Sequence, residues 1–241
     1  MFEKTLSTAF TRLPNLKLAH ARCNTRDFST TLLPAELRKH LTFYPNFFSG
    51  TEQRVLLEAA LHKLDGMESG NHRRKRKALL RGTTPRSFPT ASNPLQDLFL
   101  PDNYYEFQQG HYDGVIKNYR EMHVSSWPDV FPALPPALER LHSLMPSQDT
   151  QTHILHLASD GEIQPHVDNI SASGSWILGC SLGAERVLRL ENDHGDIFSV
   201  PLPSGSVYIQ RDDLRFNFKH SILLGEGGQR LSIMIRDRLP K

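Results

Sequence analysis

The sequence predicts a mainly β protein with flanking helices, an α+β fold whose strands form a sandwich or a jelly roll. Two observations carry this prediction. Short apolar segments recur roughly every 8–12 residues from residue 152 onward, with Gly, Asp and Pro turns between them. The part before residue 150 instead has helical apolar spacing and loop-rich stretches. With 241 residues, of which 38% are hydrophobic and 22% charged, the chain is long enough for one domain with a sizeable core.

The first 33 residues have the composition of a targeting sequence. They carry five basic residues against two acidic ones, a net charge of +3, which leaves −1 for the remainder of the chain. The stretch is rich in Thr, Ser, Ala and Leu and has no continuous apolar segment, which argues against a secretory signal. The Arg26-Asp-Phe-Ser29 segment is similar to sites cut by the mitochondrial processing machinery. We therefore expect residues 1–33 to be a cleaved or disordered mitochondrial transit peptide, and the mature protein to lie in the matrix.

Residues 34–150 predict helices and loops that cover the strand-rich part. Ser49 and Glu52 form a capping box, and the apolar spacing after them is helical as far as Gly66. The basic run 71–81 suits a nucleic-acid or acidic-lipid surface, or simply a solvated segment. Since charge runs are usually solvated and this one has no interleaved aromatic residues, we favour the solvated segment.

Three further segments complete this cover. Residues 82–101 are rich in Thr, Pro, Ser and Asn and predict a loop. The aromatic and amphipathic stretch from Tyr104 to Trp127 predicts a helix-containing cover. Residues 134–145, with Pro132 before them and Pro135 at their start, predict a second helix.

Residues 151–241 predict the strand-rich core. Cys180 lies in one of its apolar segments, which makes it a small buried hydrophobe rather than a reactive thiol. The simplest compartment is therefore a reducing one. No run of 18 apolar residues occurs, so we expect no stable membrane insertion. The predicted strands are 154–157, 176–182, 187–190, 197–200, 207–209, 216–218 and 231–235.

A His-x-Asp triplet within this core predicts a metal site. His166 and Asp168 lie two residues apart, so on an extended strand they project from one face. Fifty-two residues after Asp168 comes His220, in the strand-like run 215–222. Two imidazoles and one carboxylate leave the other coordination positions of a metal open, which is the arrangement of non-haem Fe(II) oxygenases. The alternatives are a chance triplet among 12 histidines and a strand-end histidine bonded to backbone.

An alternating strand with an arginine at each end follows His220. An arginine placed there can grip the distal carboxylate of 2-oxoglutarate with two parallel hydrogen bonds. A solvated terminal residue is the alternative for Arg236. The order of histidine, carboxylate, histidine and arginine nevertheless favours an Fe(II)/2-oxoglutarate dioxygenase.

These motifs resemble the AlkB family of Fe(II)/2-oxoglutarate dioxygenases, and more narrowly its mitochondrial branch. The resemblance spans residues 43–239 and is closest after residue 150. It implies a double-stranded β-helix with outer helices, and Fe(II), 2-oxoglutarate and O2 as the reacting partners. The motifs that carry it are Pro165-His-Val-Asp168, Gly205-Ser-Val-Tyr-Ile209, Phe216-x-Phe218-x-His220, Arg230-x-Ser232 and Arg230-x5-Arg236.

The resemblance also implies roles for individual residues. The triad would ligate Fe(II), and Arg230 would pair with the distal carboxylate of 2-oxoglutarate. Tyr208 would donate a hydrogen bond to the same molecule, and Ser232 would add a hydroxyl contact. Arg236 would lie near the metal-side carboxylate or orient Asp168. The implied Fe(II) ligands are His166, Asp168 and His220.

One departure from the family bears on the substrate. Relatives that repair DNA and RNA carry an Asn-x-Tyr pair on the strand before the His-x-Asp, whereas Leu155 and Leu157 stand there in this chain. We therefore rank hydroxylation of a protein side chain first and oxidative RNA demethylation second. The third hypothesis is a catalytically slow 2-oxoglutarate or iron sensor that acts by binding a partner. Because the mitochondrial branch is linked in animals to regulated necrosis and fatty-acid metabolism, the resemblance implies a role there.

Overall fold

The computed structural model describes residues 33–82, 95–225 and 227–239. The predicted transit peptide therefore lies outside the described residues, apart from its last position. Ten strands lie in the described part: Leu41–Tyr44 (β1), Gln108–Gly110 (β2), Ile116–Val124 (β3), Thr150–His166 (β4), Trp176–Gly183 (β5), Arg186–Glu191 (β6), Ile197–Leu202 (β7), Val207–Arg211 (β8), Lys219–Leu223 (β9) and Arg230–Asp237 (β10). Its five helices are Ala35–Arg38 (α1), Gly50–Met67 (α2), Gly70–Gly82 (α3), Leu134–His142 (α4) and Asp212–Phe216 (α5).

The strands form one curled antiparallel sheet in the order β1-β8-β5-β10-β4-β9-β6-β7. The 17-residue strand β4 joins its two halves, because its first part pairs with β10 and its last part with β9. Strand β3 pairs along the other edge of β4 and carries β2. The sheet therefore folds over on itself around an interior, and we call the strand faces that line this interior the inner face.

Two apolar cores follow from the alternation of side chains along the strands. In β10, Leu231, Ile233 and Ile235 point away from the interior and pack with α2 and α4. Met234, one step out of phase, points inward and packs against the second core, which includes Tyr208. Three polar residues of β10, Arg230, Ser232 and Arg236, alternate with the apolar ones and point inward like Met234. The interior therefore contains both apolar packing and the candidate site.

The capping box, the helix predicted after it and the helix predicted over residues 134–145 are confirmed. Ser49 is the N-cap of α2, and the reciprocal bonds with Glu52 are both present. Helix α2 ends at Met67, one residue beyond the predicted end, and α4 covers most of the predicted 134–145. The basic run 71–81 lies within helix α3. No helix in the described part is both long and apolar enough to cross a membrane.

The prediction of a helical cover from Tyr104 to Trp127 is wrong, because this stretch forms β2 and β3. The inward positions of β3 include Glu121 and His123, and these polar residues hide the alternating pattern of a strand. A register shift at Asn118, which has a φ of 48°, breaks the period once more. The cover between residues 34 and 150 therefore contributes strands to the sheet as well as helices.

The predicted strand 216–218 is also wrong. Residues Asp212–Phe216 form the short helix α5, and β9 begins at Lys219. Asp212 has a φ of 48°, an uncommon conformation outside glycine, and it turns the chain out of β8 into this helix. The predicted loop 82–101 lies partly outside the described residues, and its end forms a 3-10 turn at Leu95–Leu98.

Candidate metal centre

Two neighbouring strands place the histidines of the triad side by side. His166 is the last residue of β4, and His220 is its directly opposite partner in β9. Their ring centroids lie 4.2 Å apart. Since residues directly opposite in an antiparallel pair project from the same face, both imidazoles enter the interior together.

Asp168 completes the triad from just beyond the end of β4, so it does not lie on the strand with His166 as expected. Its Oδ1 lies 3.1 Å from Nε2 of His166 and 3.7 Å from Nε2 of His220. The ligand atoms of the three residues lie within 4.8 Å of one another, and no other group in the described part of the chain brings three such ligands together. Arg215, which is fully buried, donates to the backbone carbonyl of Asp168 at 3.1 Å and to Ser173 Oγ at 2.8 Å. These bonds fix the turn that carries the carboxylate.

The charge states of the triad suit a divalent cation. Burial by itself would raise the pKa of Asp168, but the hydrogen bond from His166 and the positive charge of Arg236 hold it well below its ordinary value. Burial lowers the pKa of His220 to about 3, despite the opposing charge of Asp168. The site therefore offers an ionised carboxylate and a neutral imidazole, the protonation states in which both groups can bind a metal. This donor set fits Fe(II).

Arg236 lies against the triad. Its Nη2 is 2.9 Å from Oδ2 of Asp168, the oxygen that faces away from the two histidines. Arg236 was expected either near the metal-side carboxylate or beside Asp168, and its guanidinium lies beside Asp168. That it orients this carboxylate stays a prediction.

Arg230 is a buried cation without an acidic partner. It is only 1% exposed, and its Nε donates to Ser181 Oγ at 3.0 Å. Within residues 33–82, 95–225 and 227–239, no carboxylate lies within 4.0 Å of its guanidinium. Burial lowers its pKa to about 10, so the group stays protonated at neutral pH. A buried charge is costly unless it is paired, so this arrangement suits an anionic ligand such as the distal carboxylate of 2-oxoglutarate.

Tyr208 and Ser232 share the interior with Arg230. Tyr208 is buried, and a Cβ added to its opposite partner Gly179 would lie 2.5 Å from the tyrosine ring. The absence of a side chain at Gly179 therefore makes room for the ring. Ser232 faces inward two residues after Arg230 and donates to the Leu155 carbonyl at 3.4 Å.

Leu155 and Leu157, at the positions of the Asn-x-Tyr pair in repair relatives, are fully buried. They lie directly opposite Ser232 and Arg230 on β10. The wall beside the candidate 2-oxoglutarate site is therefore apolar where those relatives have hydrogen-bonding groups.

Ser181, Arg215 and Gly179 belong to none of the sequence motifs. Each acts on a predicted site residue from a strand or helix distant in sequence. In the sequence, a serine and a glycine within an apolar strand only weakly indicate exposed positions. Once the strand order is known, both positions of β5 are seen to face the interior, where they contact the predicted site residues.

A cleft of about 740 Å³ borders the segments that carry the triad. Val167, between two triad residues, and Lys219, next to the third, both line it. Its walls combine apolar and acidic side chains. The apolar ones include Leu37, Phe198 and Phe216, and the acidic ones are Glu36, Asp193, Asp196 and Asp213.

A jelly roll with two histidines and an aspartate at its open interior defines the class of mononuclear metal oxygenases. The chain belongs to the 2OG-Fe(II) oxygenase superfamily, whose family model matches residues 40–227. Members of this superfamily use Fe(II), 2-oxoglutarate and O2, which is the cofactor set that the sequence predicts.

The chain is similar to two mammalian proteins named alpha-ketoglutarate-dependent dioxygenase alkB homolog 7, mitochondrial. It is 33% identical to the Bos taurus protein and 31% identical to the Mus musculus protein, over 146 residues in each case. Each match covers 54% of this chain and 65% of the relative, so it spans slightly less than two thirds of the relative's length. The resemblance to the AlkB family is thereby confirmed.

A solved structure confirms the fold. A prolyl-4-hydroxylase of Pseudomonas putida superposes with a TM-score of 0.53 over 86% of this chain and 96% of its own, at 13% identity. At that identity the likeness shows the fold alone. The predicted jelly roll is confirmed.

Proposed function

We propose that the protein is a mitochondrial Fe(II)- and 2-oxoglutarate-dependent dioxygenase that hydroxylates a C–H bond of a protein side chain. One observation carries the proposal of activity: the metal-binding triad and the unpaired, buried Arg230 lie in the same interior. The first suits a divalent metal and the second suits the far end of a dicarboxylate. The names of the two mammalian relatives support the mitochondrial location, and the matrix stays a prediction.

The metal ligands and the co-substrate residues have separate roles. His166, Asp168 and His220 would hold Fe(II), and three protein ligands suit a metal that also binds a co-substrate. Bound Fe(II) and 2-oxoglutarate supply an oxidative decarboxylation, in which one oxygen atom of O2 goes to succinate and the other to the substrate C–H bond. Arg230 and Tyr208 bind and orient the far end of 2-oxoglutarate, and the apolar wall at Leu157 excludes water from it.

The activity is tested by an anaerobic titration with Fe(II) and 2-oxoglutarate that follows the visible metal-to-ligand charge-transfer band. We expect the wild type to show the band and Asp168→Ala to lose it. Arg230→Met should require roughly 10–100-fold more 2-oxoglutarate, because it removes a hydrogen-bonded charge from the ligand. A folded wild type without the band would contradict the proposal. A band that persists unchanged in Asp168→Ala would contradict the ligand assignment.

The cleft beside the triad favours a protein substrate. Glu36 and Asp196 form no ion pair within the described residues, whereas Asp193 pairs with Lys219 at 3.1 Å. An acidic cleft with apolar walls attracts a polypeptide segment that carries basic and apolar side chains, and it repels phosphates. We propose that such a segment docks in the cleft and presents its side chain to the metal.

RNA is the second candidate, because α3 has an exposed basic face. Five of its basic residues are exposed, whereas Arg76 is buried and unavailable to a phosphate. RNA held by this face would dissociate steeply as salt rises. The exposed residues are Arg73, Arg74, Lys75, Lys77 and Arg81.

One assay separates the two substrates. Peptides with basic and apolar residues and RNA oligonucleotides are each added to the holoenzyme, and both succinate and the mass gain of one oxygen atom are measured. We expect a peptide to stimulate turnover, and Asp196→Asn to raise KM for it with little change in kcat. Glu139→Gln, an exposed acid on α4, is the control. Stimulation by RNA alone, with demethylated product, would contradict the protein proposal.

The sensor hypothesis and the physiological role stay predictions. A sensor would bind 2-oxoglutarate tightly and produce no substrate-stimulated succinate. A role in regulated necrosis and fatty-acid metabolism would appear as altered survival and lipid oxidation in cells whose only copy carries Asp168→Ala.

A further inference from the structure

Three arginines are fully buried: Arg186, Arg215 and Arg230. Arg215 holds the turn that carries Asp168, and Arg230 belongs to the family motif, so only Arg186 has no role assigned so far. Arg186 is 0% exposed and begins β6. It shares its strand face with Leu188 and Leu190, which are both buried. Since Leu190 lies directly opposite His220, this face of β6 is the one that faces the metal centre's interior. Arg186 therefore lies on the inner face, four residues further from the triad than Leu190.

The contacts of Arg186 place it at the level of Arg230. Its Nη2 donates to the Gly228 carbonyl at 2.8 Å and reaches the Ala158 carbonyl at 3.3 Å. Gly228 precedes Arg230 by two residues, and Ala158 follows Leu157, the partner of Arg230 on β4. The positive charge of Arg186 also lowers the pKa of Arg230, as two nearby cations require.

Arg186 has hydrogen-bond donors to spare. Its Nε and Nη1 are buried and have no hydrogen-bond partner. No carboxylate within the described ranges forms an ion pair with Arg186 or Arg230, although the more distant negative charge of Asp160 raises the pKa of Arg186 and so offsets part of the effect of burial. Two buried like charges, one of them with unused donors, are unfavourable unless an anion lies between or beside them.

We propose that Arg186 and Arg230 together form the pocket for the distal carboxylate of 2-oxoglutarate, so that Arg186 is a specificity-determining residue for the co-substrate. This inference rests on the proposed dioxygenase function. A carboxylate has two oxygens with about four lone-pair sites, enough for donors from two guanidiniums. The pair selects a dicarboxylate over a 2-oxo acid that lacks the second carboxylate.

A purely structural role for Arg186 predicts something different. The three backbone carbonyls near Nη2, those of Ala158, Ser159 and Gly228, can also accept hydrogen bonds from a lysine ammonium, which has three N–H donors. Arg186→Lys therefore keeps a charge and donors for the carbonyls and removes the two unpaired nitrogens. The matched control is Arg189→Lys on the same strand, since Arg189 is half-buried and pairs with Glu191 at 3.1 Å.

The experiment measures dissociation constants by calorimetry on the Mn(II)-bound protein, with 2-oxoglutarate and with 2-oxobutyrate, which lacks the distal carboxylate. We expect Arg186→Lys to weaken 2-oxoglutarate binding about tenfold or more, to leave 2-oxobutyrate unchanged, and to erase most of the preference between them. Arg189→Lys should keep wild-type values. Unchanged 2-oxoglutarate binding in Arg186→Lys, or equal weakening of both ligands, would overturn the inference while leaving the proposed function intact. A wild type that binds neither ligand would overturn both.

A second measurement needs no variant that must fold. In wild-type protein with Zn(II) and 15N-labelled arginine, 2-oxoglutarate should shift the Nε resonance of Arg186, and 2-oxobutyrate should not. An Arg186 signal that is identical with and without 2-oxoglutarate would overturn the inference.

Discussion

Arg236 and Asp168 form an ion pair at the edge of the metal centre, with Nη2 of the arginine 2.9 Å from Oδ2 of the aspartate. The other oxygen, Oδ1, faces the two histidines. We therefore predict that the arginine determines which carboxylate oxygen is presented to a metal. It comes from β10, whereas Asp168 follows β4, so the register of the sheet determines the geometry of the ligand.

Arg236→Gln should weaken Fe(II) binding or activity by roughly 10–100-fold, because groups that orient metal ligands have effects of this size. Fe(II) affinity by competition with a chelator is the direct measurement. Arg238→Gln is the control. Arg238 directly follows β10 and is exposed, and its Nε lies 3.7 Å from Oδ1 of Asp149. If both variants bound Fe(II) like the wild type, the orienting role of Arg236 would be excluded.

Site residues that stand in local motifs could be predicted from the sequence. Residues whose position depends on the register between strands could not. The residue types and order of the triad and Arg230 indicate metal and dicarboxylate chemistry, and the resemblance to the AlkB family adds Tyr208. Arg186 belongs to no motif, and its buried position follows only from the pairing of β6 with β9.

The fold shows the same division. Strands with apolar residues on both faces, such as β5, were predicted almost to their ends. Strand β3 was missed, because polar residues occupy its inward positions and a register shift at Asn118 interrupts its period. Alternation of hydrophobicity predicts a strand only when the face it packs against is apolar.

Gly179→Ala should weaken 2-oxoglutarate binding, because the new Cβ would lie 2.5 Å from the ring of Tyr208 and must displace it. Overpacking of this kind costs about 1–3 kcal/mol of stability. Gly66→Ala is the control: no atom lies within 4 Å of its added Cβ, and alanine favours the helix by up to about 1 kcal/mol. Calorimetry with 2-oxoglutarate and urea unfolding measure the two effects. Wild-type affinity in Gly179→Ala would mean that the position of Tyr208 does not matter for the co-substrate.

The metal-free protein should lose stability as pH falls below about 6.5, the ordinary pKa of histidine. Burial, and then the charge of Arg120, hold the pKa of His156 well below that value. Its Nδ1 accepts a hydrogen bond from Arg120, and its Nε2 donates to Gln229. The histidine therefore stays neutral in the folded state while the unfolded chain binds a proton. The stability it contributes is present above the unfolded pKa and decreases as pH falls toward the folded one.

His156→Gln should flatten this dependence by at most about 1.4 kcal/mol per pH unit. His220, whose pKa is lowered to about 3 by burial, keeps part of the slope in the variant. Urea unfolding in the presence of a chelator, between about pH 6 and pH 5, avoids the range in which carboxylates titrate. An unchanged slope in His156→Gln would show that His156 does not couple protonation to folding.

The basic helix α3 should contain one structural arginine among its solvated ones. Arg76 is 5% exposed and forms an ion pair with Glu68, which is also buried, and Glu68 pairs in turn with Arg120 of β3 at 2.7 Å. Arg76→Met leaves part of a buried carboxylate uncompensated, and breaking such a pair costs about 3–5 kcal/mol.

Arg74→Met is the matched control for this variant, because Arg74 is exposed on the same helix and forms no ion pair within the described residues. It should change the free energy of unfolding by no more than about 0.5 kcal/mol. If both variants unfolded at the same urea concentration as the wild type, the whole basic run would be solvated, as the sequence predicts. A lower free energy of unfolding in Arg76→Met alone would show that this residue joins α3 to the sheet. Only the other basic side chains would then remain for a phosphate-bearing partner.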